Sequence, residues 1–186
     1  MMENSRVNDI YTGGLVARPT EENVALASGI YLFECYDKDG NLKWKDQAKN
    51  MVVSTGLQFM ANSLDAVTTI ATWYVGLKDT GAVAAANTMA TGSRAWAENV
   101  TYSDATRPVA NFAAATTASP SVVTNSANKA VFNINGTTTI YGAFLTSDST
   151  KSGTTGTLFS AGDFSSSRAV VNGDTLQVTY QFTLSA

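Results

Sequence analysis

A chain of 186 residues, 44% of them hydrophobic, is long enough to bury one core without disulfide or metal support. Charged residues make up only 15% and the net charge is -3, so no basic field exists to attract a nucleic-acid backbone. Histidine is absent and cysteine occurs once, which excludes imidazole acid–base catalysis, imidazole-based zinc sites and an intramolecular disulfide.

Residues 1–28 are polar and broken by Gly13, Gly14 and Pro19, and they predict an extended N-terminal arm without a core of its own. Glu3, Asp9 and the paired glycines stand where a signal peptide needs a basic stub and an apolar run, and no 18-residue apolar stretch follows. Synthesis and retention in the cytosol are expected, with no membrane partner.

Residues 29–186 are expected to form one β-rich domain. Ile30–Tyr36 is a β-prone run, Asp37-Lys38-Asp39-Gly40 a turn, and Asn41–Asp46 a second strand, together a β-hairpin. The turn also resembles the start of a calcium loop, but Leu42 and Ala48 occupy the positions that need glycine and a bidentate glutamate. Cys35, inside the apolar run, reads as an inert buried thiol. Val53, Leu57, Met60 and Leu64 recur at helical spacing, and Thr55 with Gln58 has the spacing of a capping box, which predicts a short helix over 54–65.

From Thr72 onward, short apolar or β-branched runs alternate with Gly, Asn, Asp and Ser clusters. Strands are expected over 73–77, 95–100, 109–113, 129–133, 139–146, 157–160 and 175–184. In the last, Leu176, Val178, Tyr180, Phe182 and Leu184 alternate with polar residues, so one face is core. Residues 113–129 are nearly uncharged and of low complexity, and predict an exposed loop. The fold class is mainly β: an antiparallel β-sandwich or jelly-roll-like barrel with one short helix.

Few residues invite a functional reading. Fifteen acids keep carboxylate-only chemistry open in principle, but eight lie in residues 1–50 and no pattern sets two others on one face. Asn99-Val100-Thr101 and Asn135-Gly136-Thr137 match the glycosylation pattern, which a cytosolic protein does not use. Trp44, Trp73, Tyr74, Trp96 and Tyr102 could stack on sugars or bases, although packing is the plainer role. Arg94 and Arg107 flank Trp96, Glu98 and Tyr102, and a cation over a ring or an internal pair with Glu98 would fix that loop. No catalytic, cofactor-binding or metal residue is expected.

The order of several short words carries a resemblance. Lys49-Asn50-Met51-Val52-Val53, Gly56-Leu57 with Met60, Trp73-Tyr74-Val75-Gly76-Leu77, and Trp96-Ala97-Glu98 with Tyr102 and Arg107 come first. Ile140–Leu145, Thr157–Ser160, Ser167–Val171 and Gly173–Leu176 close the series. This order resembles small virion structural proteins of tailed bacteriophages, some of them labelled tail-fibre or minor tail proteins. The inserts 81–92 and 113–129 depart from the pattern. The resemblance implies a structural subunit, not an enzyme, assembled in the host cytoplasm into a virion. It would act as a capsid decoration or cement protein, or as a neck- or tail-associated accessory. Its partners would be copies of itself and other virion proteins such as the major capsid or neck and tail proteins, with no nucleic acid and no cofactor. The alternative is a receptor- or glycan-binding tail-fibre module using Trp73 or Trp96.

Overall fold

The computed structural model describes residues 25–65 and 69–185. The expected arm therefore lies outside the described residues except at its end, where Leu26–Ser28 are already strand. Strand β1 spans Leu26–Tyr36 and β2 spans Leu42–Val52, each 11 residues long. The hairpin is longer at both ends than its apolar run indicates, because pairing with other strands orders the polar extensions.

The helix α1 spans Ser54–Asn62, three residues short of expectation. The capping box does not form: Val53 is the N-cap without a side-chain hydrogen bond, and Thr55 Oγ1 instead donates to the Leu158 carbonyl at 2.6 Å. That bond, with Ser54 N–H donating to the Ala85 carbonyl, turns Gly56 onto the Phe159 backbone, where a Cβ would overlap the carbonyl oxygen. Phe59 and Met60 consequently face the core, and Leu57 faces out.

The remaining strands are β3 (Tyr74–Lys78), β4 (Glu98–Asn99), β5 (Ser121–Thr124), β6 (Ala130–Asn133), β7 (Thr138–Thr146), β8 (Leu158–Val170) and β9 (Thr175–Ser185). Three expectations are corrected. The run 95–100 contributes only two strand residues. Residues 109–113 form an isolated bridge from Val109 to Tyr74 rather than a strand; Pro108, which has no N–H, contributes only its carbonyl, to Val75 N–H. The expected loop 113–129 contains β5, since the run Ser121-Val122-Val123-Thr124 finds an unpaired edge on β9.

Among the described residues all nine strands belong to one antiparallel sheet in the order β4-β3-β7-β8-β2-β1-β9-β5, with β6 also on β9. The path ends in two edges, β4 and β5. The sheet folds over at β2, whose residues Leu42 to Lys49 pair with β1 and whose residues Asn50 to Val52 pair with β8. The layer of β1, β9, β5 and β6 thereby faces the layer of β8, β7 and β3 in a sandwich-like arrangement. Tyr31 Oη reaches Ser160 Oγ at 2.8 Å across the gap, Phe33 packs edge-on to Phe164 at 4.4 Å, and Phe182 meets Phe159 at 5.3 Å. Phe164 reaches inward because β8 bulges: its four residues between Asp163 and Arg168 face the single residue Tyr141 of β7.

A second, smaller core lies on the other face of β7 and β8, where Met89 and Trp96 pack on Phe144, Leu158 and Ala161. Residues 79–97, which include the Ala-rich insert, provide this cover. Asn87 fixes it by accepting from Trp96 Nε1 at 3.1 Å and donating to the Ser93 carbonyl at 2.8 Å.

Candidate functional site

The residues singled out by their chemistry are placed first. Asp37 Oδ1 accepts from the N–H groups of Asp39 and Asn41 at 2.9 and 2.8 Å, and Gly40 takes φ +82°, so the acidic stretch closes the β1–β2 turn on itself. Those bonds, led by Asn41, hold the Asp37 carboxyl below its ordinary range. Among the described residues no group of three or more potential metal-ligating side chains occurs. Cys35 is buried, with its thiol 3.8 Å from Asp174, and burial followed by the Asp174 charge pushes its pKa up to about 12.

The aromatics do not form a platform. Trp96 and Tyr102 are buried, the first against Phe144 and the second edge-on to Phe132. Trp44 stands beside Cys35 near the end of β1, whereas Trp73 packs on Phe59 and Phe159, next to the end of β9. Arg94 lies over the Trp96 ring at 4.8 Å. Arg107 pairs with Glu98 and also donates to the carbonyls of Asp148 and Gly153 at 2.6 and 3.2 Å, pinning the 147–156 loop. Both Arg expectations thus resolve into structural contacts.

A buried cation was not foreseen from the sequence. Lys78, fully buried at the end of β3, donates to the Asp79 and Gly81 carbonyls and pairs with Asp163 at 2.6 Å. Its charge is fully partnered, so it ties the insert to β8.

Of the concave surfaces, two have the most apolar walls. One, of about 630 Å³, lies on the outer face of β1, β2 and β9, where Glu34 is held by Lys45 at 2.5 Å and by Lys129. Each of these charges has its partner. The other, of about 420 Å³, opens between the two layers at the end where β1 begins and β9 finishes. Its walls include Phe59, Met60, Trp73, Phe112, Phe182 and Leu184. Its rim is apolar and open among the described residues: Leu64 is 92% exposed and Leu184 41%. Isolated apolar residues on a surface need no explanation, but a lined groove with an apolar rim marks a contact surface. No sequence pattern exposed this site, because its residues come from α1, two loops and four strands.

No helix among the described residues is long and apolar enough to cross a membrane. Comparison with protein-family models, curated proteins and solved structures finds no match.

Proposed function

We propose that the chain is a structural subunit of a tailed-phage virion, working through protein–protein contacts rather than turnover. Its place would be on the capsid surface as a decoration or cement protein, or at the neck or tail as an accessory. The observation that carries this reading is the apolar end of the sandwich, where Leu64 and Leu184 form the exposed rim of an open groove. A surface of this kind is what a subunit buries on assembly. The order of sequence words shared with small phage virion proteins supports the same reading. So does a chain without histidine whose ionic groups Glu98, Arg107 and Lys78 are spent on internal pairs.

In this role the residues before β1 lie along a neighbour and the domain packs against copies of itself or other virion proteins. Light scattering on the purified protein, followed by its titration onto empty heads and onto tails of the parent particle, tests the reading. Loading at a fixed stoichiometry on either structure is expected. A protein that stays off both, while retaining its β circular dichroism, is not a virion subunit.

A further inference from the structure

We propose that the apolar groove at the open end of the sandwich receives residues 7–16 of a second copy of this chain. The proposal rests on the assembly reading and names the partner segment.

The chain enters the domain beside the groove. Leu26 to Gly29 pair with β9 alone, opposite Ser185 to Phe182, while pairing with β2 starts only at Ile30. Ala27 is thus the direct neighbour of Leu184, and Gly29 of Phe182, both walls of the groove. The N-terminal segment therefore leaves the domain at the groove's rim.

Residues 7–16 (VNDIYTGGLV) carry Val7, Ile10, Tyr11, Leu15 and Val16, an apolar block inside an otherwise polar N-terminal segment. Residues 17–24 (ARPTEENV) are a polar tether that contains Pro19 and no glycine. The apolar block and the apolar groove thus match in chemistry.

Eight residues span up to roughly 26 Å when fully extended. The chain leaves β1 pointing out of the sandwich, so filling the groove of the same copy requires the tether to turn back at the rim. Two copies facing each other end to end need no reversal, since each segment then points at the partner's groove. This is a reciprocal, two-fold exchange of arms.

The test uses full-length chains. One copy carries Ile10→Cys and the other Leu64→Cys, a site on the groove that is almost fully exposed, while Cys35 is buried. After mixing and mild oxidation, a covalent heterodimer of the two variants is expected. Its rate should exceed, by roughly ten-fold or more, that of Ile10→Cys mixed with Val131→Cys, an exposed position on β6. Replacing Val7 and Tyr11 with Asp in the Ile10→Cys chain should remove the excess and leave the circular dichroism unchanged. A chain carrying both Ile10→Cys and Leu64→Cys that closes on itself as a monomer overturns the proposal. So does a small apolar molecule found bound in the groove by native mass spectrometry, or equal rates at Leu64 and Val131. Cross-linking through the groove by a protein that loads onto neither heads nor tails would keep this inference and discard the virion reading.

Discussion

Arg107 and Glu98 meet as a two-pronged ion pair, Nε to Oε1 at 2.9 Å and the second guanidinium nitrogen to Oε2 at 2.7 Å, with both side chains fully buried. The remaining donors of Arg107 hold the Asp148 and Gly153 carbonyls, and Ser152 N–H donates to Glu98 Oε2 at 2.7 Å. The 147–156 loop is therefore fastened through one guanidinium. Removing one member strands the other as a buried charge. Arg107→Met should destabilise the domain by about 3–5 kcal/mol, read by urea denaturation. The double variant Arg107→Met, Glu98→Gln should lose less than Arg107→Met alone, because no uncompensated carboxylate remains. A single variant within about 0.5 kcal/mol of the parent would contradict this account.

Cys35 should be silent toward thiol reagents in the native protein at pH 8 and react fully in denaturant. Burial and the nearby Asp174 raise its folded pKa to about 12 against an ordinary 9.0. The raised value favours the neutral thiol in the folded state, so its contribution to stability is intact below pH 9 and fades as the pH climbs toward 12. Native reactivity on the time scale of a free thiol would show that the end of β1 opens readily.

Glu34 should titrate far below a free glutamate. Hydrogen bonds from Lys129 and then Lys45 lower its pKa from 4.5 to about 2. The depressed value favours the carboxylate in the folded state, so the stabilisation is whole above pH 4.5 and is lost as the pH falls toward 2. Carboxyl chemical shifts followed by NMR should give this midpoint in the parent and a higher one in Lys129→Ala. Lys45 is more than half exposed, so added salt should weaken its share first. A parent midpoint near 4.5 would remove the pairing from the solution structure.

Gly142→Ala should damage the fold through a backbone clash. A Cβ at this position, beside the β8 bulge, would overlap the Gly162 carbonyl oxygen, which is backbone and cannot swing away. The expected loss is about 1–3 kcal/mol in thermal or urea melts. An unchanged melt would mean that β7 and β8 stand further apart there.

The sequence displayed these features unequally. Strand β9 was legible to within one residue at its end, because Leu176, Val178, Tyr180 and Phe182 alternate without interruption and are all buried on one face. The β1–β2 hairpin was legible through its Asp-Gly turn, but its full length was not, since polar residues such as Gln47 and Lys49 are held by strand neighbours. The helix was placed correctly at its start but ends three residues earlier than its spacing indicates, and of that spacing Val53 and Met60 pack inward while Leu57 faces out, because tertiary contacts at Thr55 and Gly56 set its face. Strand β5 was hidden inside a low-complexity run and exists only because β9 offers it an edge.

The candidate site was not legible at all. Phe59, Trp73, Phe112 and Leu184 are far apart in the chain and follow no shared spacing, so nothing local marks them as one wall. What the sequence by itself determined is the β class, the hairpin turn, the lone inert thiol and the lack of imidazole chemistry, all of which depend on residue identity or period-two patterning. The fold of the sheet at β2, the cover formed by residues 79–97, the burial of Lys78 and the open apolar end were decided by tertiary structure. Each depends on which distant strands pair, and pairing between distant strands is fixed by the packing of the whole core rather than by any local run of residues.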